Sequence, residues 1–180
     1  MNFTKINIGE TTQKPDDVIM KSRAIIRNEE GKILIANYAG VYLLPGGSID
    51  EGENPNDAII RELREETGFE IKGLEAFAKM KYFQSNYPTR DGDTINRLLI
   101  TYYYSGNEQN AIKHKRELTE KEIKGGFELK YYHIEEIERL LQENKTENPR
   151  NEYFNEELKT IIEYYKKEKL PLGHKPYSVN

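Results

Sequence analysis

The most constraining feature of this sequence is a short segment, residues 55–67, that carries signals for both ends of a helix. Asn54 is a favoured N-cap residue, and Pro55 suits the first helical position, where its missing N–H needs no partner. Asp57 puts negative charge in the first turn, where the helix dipole stabilises it. Gly68 stands where a glycine commonly ends a helix. The sequence therefore predicts one helix of defined length.

The segments on either side of this helix are mostly β-prone. Before it, a Glu-Glu-Gly turn signal separates two apolar runs, which predicts a hairpin, and a short third strand precedes a polar loop. After it, three more strands are predicted, separated by loops that are rich in polar residues, Gly and Pro. The predicted strands are 18–27, 32–38, 41–44, 70–83, 94–104 and 127–133, of which 70–83 is either one long strand or a bent pair. The predicted loops are 48–53, 86–93 and 105–124, the last with a helical turn near 119–124.

Two further helices are predicted near the C-terminus, at 134–141 and at 152–167, by the spacing of their apolar residues. The apolar stripe of the last helix must be covered, either by its own domain or by a second subunit, so a homodimer is one alternative. From residue 170 onward we expect a loose tail. Strands interrupted by helices favour an α/β fold in which helices cover both faces of a mixed β-sheet.

Length, composition and charge limit the classes of protein that this chain can represent. A chain of 180 residues fits one domain, 1–180, with a core at about 18–142 and an added C-terminal helix. The absence of cysteine excludes disulfides and thiolate metal sites, and it suits a cytoplasmic location. No secretory signal or membrane-length apolar run is visible. The net charge of −4 makes nucleic acid an unlikely partner.

The helix at 55–67 is expected to carry a crowded acidic face. At about 100° per residue, Ile59, Ile60, Leu63 and Thr67 form one apolar arc, while Glu62, Glu65 and Glu66 form a second arc. At roughly 5 Å and an effective dielectric of about 20, each pair of like charges repels by roughly 3 kcal/mol. Arg61 can offset part of this by pairing with Glu65 one turn away. A hard divalent cation would offset more, and an all-oxygen site favours Mg²⁺ or Mn²⁺ over zinc.

A helix face rich in Glu and Arg is by itself usually a solvated surface, but its surroundings here match a known motif. The chain has Gly47, five residues, Glu53, seven residues, and then Arg61-Glu62-Leu63-Arg64-Glu65-Glu66-Thr67-Gly68-Phe69. This resembles the box of the Nudix hydrolase family, G-x5-E-x7-R-E-U-x-E-E-x-G-U, where U is bulky and apolar. Every specified position matches, and the flanking strands extend the resemblance to about 18–142, leaving 143–180 uncovered.

The resemblance implies a Nudix-type α/β/α sandwich and Mg²⁺-dependent hydrolysis of a nucleoside diphosphate linked to another group. It implies that Glu62, Glu65 and Glu66 bind the metal ion, with the Gly47 carbonyl as a further ligand. It also implies that Glu53 and Arg61 form a supporting pair that orients the catalytic helix.

The resemblance leaves two placements open for the general base that accepts the proton of the attacking water. One alternative is Glu62 within the box. The other is an acidic residue in the loop before a late strand, here Glu122, followed by Glu120. A solvated charge is the ordinary interpretation of both loop residues.

Two residues outside the box bear on the identity of the substrate. Tyr87 lies near the place where some dinucleoside polyphosphate hydrolases of the family carry a tyrosine, and Arg97 could meet a phosphate. We expect a small nucleotide-like substrate such as ADP-ribose or a sugar nucleotide. The alternatives are a housekeeping pyrophosphohydrolase for nucleoside triphosphates or dinucleoside polyphosphates, and a non-catalytic module that senses a nucleotide. An isoprenoid diphosphate isomerase is disfavoured, because that chemistry typically uses a cysteine.

Overall fold

A computed structural model describes residues 3–9 and 13–170 of the chain. The tail predicted from residue 170 therefore lies outside the described residues, apart from Leu170 itself. Within them, the chain forms ten strands and four α-helices. The strands are β1 Thr4–Ile8, β2 Asp17–Arg27, β3 Ile33–Tyr38, β4 Val41–Leu43, β5 Gly46–Ser48, β6 Phe69–Ile71, β7 Glu75–Pro88, β8 Thr94–Asn107, β9 Ala111–Lys113 and β10 Glu128–Tyr132, and the helices are α1 Pro55–Thr67, α2 Glu120–Lys124, α3 Ile134–Glu143 and α4 Asn151–Lys169.

Eight of these strands form one mixed sheet in the order β1-β7-β8-β2-β3-β10, with β4 paired to β3 and β5 paired to β2. The pairs β1–β7 and β2–β8 are parallel, and the pairs β7–β8, β2–β5 and β3–β10 are antiparallel. Parallel strands cannot be joined by a tight hairpin and need a long connection, so the parallel pairs here join strands that are far apart in the sequence. Strand β2 is central, so its side chains can reach elements on both faces.

Helices cover both faces of this sheet, which confirms the predicted α/β/α sandwich. On one face, Ile59 and Leu63 of α1 pack on Ala24, Ile26 and Tyr104. On the other face, α3 and α4 bury their apolar stripes against Ile25, Ile33, Ile35 and Tyr103. Alternation along a strand sends successive residues to opposite faces. Tyr103 and Tyr104 are accordingly both buried, one in each layer.

Helix α1 begins and ends where its sequence signals predicted. The Asn54 side chain accepts hydrogen bonds from the backbone N–H groups of Asn56 and Asp57, both at 3.0 Å. Gly68 follows the helix with a φ of 75°, a left-handed conformation that glycine adopts without steric cost. One expectation for this helix is wrong: Ile60 lies at the edge of the apolar arc and is exposed rather than buried.

Several strand boundaries differ from the predictions, because pairing partners distant in sequence decide them. The polar segment 105–124 was expected to be a loop, yet β8 continues to Asn107 and β9 pairs with β6. The predicted helical turn near 119–124 is present as α2. Strand β7 extends to Pro88, into the predicted loop 86–93, and β5 includes Ser48 of the predicted loop 48–53. Strand β1 was not predicted at all.

The C-terminal helix packs on the domain itself. Leu158, Ile161, Ile162 and Tyr165 of α4 are buried in the same cluster as residues of the sheet and of α3. The stripe of α4 is thus covered within the chain, and the alternative of a second subunit is not needed to explain it. Among the described residues, no helix is both long enough and apolar enough to cross a membrane.

The burial of α4 can be tested with two isoleucine-to-alanine substitutions of the same size. Ile161 on α4 is 0% exposed and Ile123 on α2 is 64% exposed. We expect Ile161→Ala to lower the free energy of unfolding by about 2–5 kcal/mol, because it leaves a cavity in the core. Ile123→Ala should change it by no more than about 0.5 kcal/mol. Urea denaturation measures both, and equal effects would show that α4 does not share the core.

Candidate active site

The site begins with Gly46 and Gly47, called here the glycine turn, which the sheet holds against helix α1. Strand β5 pairs with β2 so that Gly46 lies opposite Arg23 and Gly47 opposite Ser22. A side chain on Gly46 would collide with backbone atoms of Ser22 and Arg23, and its φ of 127° also excludes other residue types. The Ser22 hydroxyl donates to the Pro55 carbonyl at 2.7 Å, which joins β2 to the first turn of α1. The turn and the helix are thus held in direct contact.

Glu66 reaches into this contact from the last turn of α1. The backbone N–H of Gly46 donates to Glu66 Oε2 at 2.7 Å, and the residue is only 4% exposed. Burial raises the pKa of Glu66 to about 8, although the Gly46 hydrogen bond favours the charged form, and repulsion from Glu62 raises it further. Glu66 thus places a buried carboxyl group directly against the backbone of Gly46.

Glu62 lies against the second glycine of the turn. A Cβ on Gly47 would overlap the carboxyl carbon and both carboxyl oxygens of Glu62, so only glycine leaves room for that carboxylate. Burial is the main cause that raises the pKa of Glu62, hydrogen bonding to Arg61 partly offsets it, and repulsion from Glu65 and Glu122 adds to it. Both of these glutamates therefore place carboxylate oxygens beside the backbone of one turn.

Arg61 ties the acidic helix to the loop that precedes it. Its guanidinium donates from Nε to Glu53 Oε1 at 3.0 Å and from Nη2 to Glu53 Oε2 at 2.8 Å, a bidentate pair. The same group donates to Glu62 Oε1 at 2.8 Å and to the Ser48 carbonyl at 3.0 Å. The Arg61 hydrogen bonds lower the pKa of Glu53. This geometry suits the supporting role that the resemblance implied for Glu53 and Arg61.

Glu65 lies further out, with a side chain that is 38% exposed and 3.6 Å from Arg61, the i,i+4 pair expected from the sequence. In the described part of the chain, no three acidic or histidine side chains are gathered as a ready-made metal site. Arg61 contacts both Glu62 and Glu65, while the Gly46 N–H holds Glu66. The role of the three glutamates as metal ligands stays a prediction.

The loop residue Glu122 lies within electrostatic reach of this site. Its negative charge contributes to the raised pKa of both Glu62 and Glu66, after the larger contribution of burial. Its carboxylate accepts from the Thr119 backbone N–H at 2.6 Å and from the Thr119 hydroxyl at 2.8 Å, which forms the capping box of α2. Glu120, the other loop candidate, has a 90% exposed side chain and lies 3.7 Å from Lys124.

The two candidate substrate-binding residues, Tyr87 and Arg97, contact each other. The Arg97 guanidinium lies 3.4 Å from the centre of the Tyr87 ring and donates from Nε to Gln84 Oε1 at 2.8 Å. Both residues line a cavity of about 30 Å³, together with Lys21, Tyr153 and Glu157. Tyr87 is buried and the cavity is too small for a nucleobase, so the Tyr87 ring presents no free surface for stacking, whereas Arg97 is partly exposed.

The sequence interpretation missed a buried charged pair directly beneath the glycine turn. Arg23 of β2 and Glu157 of α4 are both buried, with Arg23 Nε 3.6 Å from Glu157 Oε1. Two patterns could have revealed them. Arg23 interrupts an apolar strand, and Glu157 occupies a position on the apolar stripe formed by Phe154, Leu158 and Ile161.

The close fit of Glu62 on Gly47 leads to a direct test. Gly47→Ala should leave the protein folded but displace the Glu62 carboxylate, since a methyl group would occupy its place. If Glu62 acts in catalysis, we expect kcat to fall by about 10²-fold, the size of losing one preorganised electrostatic group. Gly31→Ala is the control for the cost of an added methyl group. A Cβ there would meet nothing within 4 Å, and although its φ of 74° should lower stability by roughly 1–2 kcal/mol, kcat should not change. An unchanged kcat in Gly47→Ala would contradict the placement.

Comparison with known proteins places this geometry in a family. Residues 21–157 match the NUDIX domain. The match reaches past residue 142, where the sequence resemblance had been expected to end, and into α4. Curated relatives include 8-oxo-dGTP diphosphatases of Haemophilus influenzae, 33% identical over 97 residues, and of Escherichia coli, 41% identical over 64 residues. An RNA pyrophosphohydrolase of Cereibacter sphaeroides is 41% identical over 59 residues.

The segments matched in these relatives cover 51%, 32% and 31% of this chain and 64%, 50% and 36% of the relatives, which is less than two thirds of their length. Among solved structures, a NUDIX hydrolase from Nitrosomonas europaea aligns with a TM-score of 0.55 at 18% identity, covering 89% of this chain and 97% of that one. At this identity the similarity concerns the fold alone. The domain match, which spans well over half of the chain, shows that this protein belongs to the Nudix family.

Proposed function

We propose that this protein is a hydrolase that cleaves a diphosphate bond in a nucleotide, with a divalent metal ion held by Glu62, Glu65, Glu66 and the Gly47 carbonyl. The observation that carries the proposal is the contact of the Gly46–Gly47 turn with α1. It brings the carboxyl groups of Glu62 and Glu66 to one backbone turn, while Arg61 and Glu53 hold the helix in place. The named activities of the curated relatives support the same reaction class.

The residues present fit a hard divalent cation. Every predicted ligand offers oxygen, and the Glu62 carboxylate lies directly beside the Gly47 backbone. Oxygen donors of this kind suit Mg²⁺, and also Mn²⁺. Members of the Nudix family generally use such an ion, which supports Mg²⁺ as the cofactor. When bound, the metal ion would neutralise charge that develops on the phosphate oxygens.

The residues of the chain would then share the remaining tasks. The Gly46 N–H orients the Glu66 carboxylate, and the Arg61 guanidinium fixes the position of Glu62. A water molecule attacks one phosphorus atom, the bond from that phosphorus to the bridging oxygen breaks, and two phosphate-bearing products separate. The proton lost by the water passes to a carboxylate, for which Glu122 and Glu62 are the two candidates.

The named relatives bear on which nucleotide is the substrate. The prediction of ADP-ribose or a sugar nucleotide finds no support among the named relatives. The diphosphatases of Haemophilus influenzae and Escherichia coli are named for 8-oxo-dGTP, which favours the alternative of a nucleoside triphosphate. The relative named RNA pyrophosphohydrolase adds a triphosphorylated RNA end as a further candidate, although the net charge of −4 disfavours broad contact with nucleic acid.

A substrate panel tests the proposed reaction. Purified protein with Mg²⁺ should release a phosphate-bearing product from at least one of these compounds: 8-oxo-dGTP, unmodified nucleoside triphosphates, ADP-ribose, sugar nucleotides, dinucleoside polyphosphates and 5′-triphosphorylated RNA. Product release is followed by anion-exchange chromatography, and reactions with EDTA are the control. If no compound is cleaved with Mg²⁺ or Mn²⁺, the alternative of a nucleotide-sensing module replaces the proposal.

The role of Glu66 can be separated from its structural contribution. Glu66→Gln keeps the size of the side chain and an oxygen that can accept the Gly46 hydrogen bond, but it removes the charge. We expect kcat to fall by about 10²–10³-fold, as for loss of one electrostatic group at a transition state. The thermal midpoint should not fall, because the wild-type carboxylate is buried with little compensation. A variant that retains full activity would remove Glu66 from the proposed ligand set.

The choice of general base can be tested with two neighbouring glutamates of α2. Glu122→Gln preserves the capping box, since glutamine also serves at that position, but it cannot accept the proton. If Glu122 is the base, kcat should fall by about 10²–10⁴-fold. Glu120→Gln is the matched control on the same helix and should leave kcat unchanged. Full activity in both variants would assign the role to Glu62.

A further inference from the structure

The buried pair of Arg23 and Glu157 connects the C-terminal helix to the glycine turn of the candidate active site. Glu157 lies on the buried side of α4, and its Oε1 accepts from the Tyr103 hydroxyl at 2.6 Å and from the Thr101 hydroxyl at 3.1 Å. The same oxygen lies 3.6 Å from Arg23 Nε, a buried atom that has no hydrogen-bond partner. Glu157 therefore compensates the charge of Arg23, while Tyr103 and Thr101 fix the carboxylate in place.

The other end of the Arg23 side chain holds the backbone that leads into the site. Its Nη1 donates to the Leu44 carbonyl at 2.6 Å and to the Gly46 carbonyl at 3.3 Å. The N–H of the same Gly46 donates to Glu66 Oε2 at 2.7 Å. Gly46 is thus bonded from the α4 side through its carbonyl and from the α1 side through its N–H. Glycine has no side chain of its own to restrict this backbone, so these bonds and the pairing of β5 with β2 together set its orientation.

Stability alone does not explain a charged pair at this position. Position 157 belongs to an apolar stripe, and a buried ion pair commonly contributes no more stability than well-packed apolar residues of similar volume. An apolar residue at 157 would remove the carboxylate that faces the otherwise unpartnered Nε of Arg23, and the guanidinium would lose the contact that holds it from the α4 side. The pair is therefore better explained by what Arg23 does to Leu44 and Gly46 than by its own strength.

We propose that Glu157 is a positioning residue, which acts through Arg23 on the Gly46 backbone and thereby orients the Glu66 carboxylate. This gives the C-terminal helix a task in the site from which it is otherwise separated by the sheet. The effect on turnover rests on the proposed function, but the effect on Gly46 does not. The experiment can therefore examine the two separately.

The test compares Glu157→Gln with Glu156→Gln in the full-length protein. Glutamine at 157 can still accept from Tyr103 but no longer compensates Arg23. Glu156 is the adjacent residue on α4 and contacts the Tyr82 hydroxyl rather than Arg23, which makes it a matched control. The first measurement is amide hydrogen exchange at Gly46 by NMR. It is normalised to the Leu63 amide in the interior of α1, which corrects for a general loss of stability.

We expect the normalised exchange at Gly46 to become about 10-fold faster in Glu157→Gln, because the hydrogen bond to Glu66 opens more often, and to stay unchanged in Glu156→Gln. On a substrate found in the panel, kcat should fall about 10-fold with KM within about twofold, since orientation of Glu66 and not substrate binding is altered. If Glu157→Gln does not fold, Arg23→Lys replaces it, because lysine keeps the charge beside Glu157 but cannot donate in the same way to both carbonyls.

Unchanged normalised exchange at Gly46 would overturn the inference, whatever the activity. Faster exchange with unchanged kcat would show that the contact exists but does not position a catalytic group, which also overturns it. If the wild-type protein cleaves nothing in the panel, the proposed function fails, while faster Gly46 exchange would still establish the connection from Glu157 to the turn.

Discussion

The contact between a glycine turn and an acidic helix is the constraint on which the candidate site depends. Gly46 and Gly47 lack side chains at the two points where a Cβ would strike strand β2 or the Glu62 carboxylate. Backbone and carboxylates can therefore meet without intervening atoms. The cost is a pair of buried acids that repel each other in a site of low dielectric, with pKa values raised mainly by burial. We propose that a bound divalent cation offsets this cost.

The sheet holds this contact from both of its faces. Successive residues of β2 point to opposite layers, so Ser22 joins the first turn of α1 while Arg23 reaches the carbonyls of the glycine turn from the side of α4. Strand β2, in the centre of the sheet, thus connects α1 and α4, which lie on opposite faces. The C-terminal helix belongs to the core through buried apolar residues such as Ile161, and Glu157 adds a polar link from this helix to the site.

Arg61 serves a different purpose from Arg23, although both are arginines beside the same turn. Arg61 lies on the outer side and bridges Glu53, Glu62 and the Ser48 carbonyl, so it fixes the loop that leads into α1. It also neutralises part of the acidic face and keeps the three glutamates from repelling each other freely. In this conformation Arg61 contacts both Glu62 and Glu65, while Glu66 is held by the Gly46 N–H.

Much of this architecture could be predicted because local rules decide it. The ends of α1 follow from Asn54, Pro55 and Gly68, whose effects act within one helical turn, and the spacing of the box residues follows from the helix period. The layered fold follows from strands and helices whose apolar faces must be covered. Pairings between distant segments could not be predicted in this way. Strand β1 and the pair β6–β9 exist because partners far along the chain offer a free edge.

The same distinction holds inside the candidate site. The sequence by itself determined which residues carry acidic oxygens, where the glycines stand and that Arg61 and Glu65 lie one helical turn apart. Only the tertiary structure decided that Glu66 is buried and accepts a hydrogen bond from the Gly46 N–H. It also decided that the charge of Glu122 acts on Glu62, and that Glu157 compensates the charge of Arg23, a residue far away in the sequence. The physical reason is that burial and charge compensation depend on what surrounds a side chain in space, whereas helix caps and periodicity depend on neighbours in sequence.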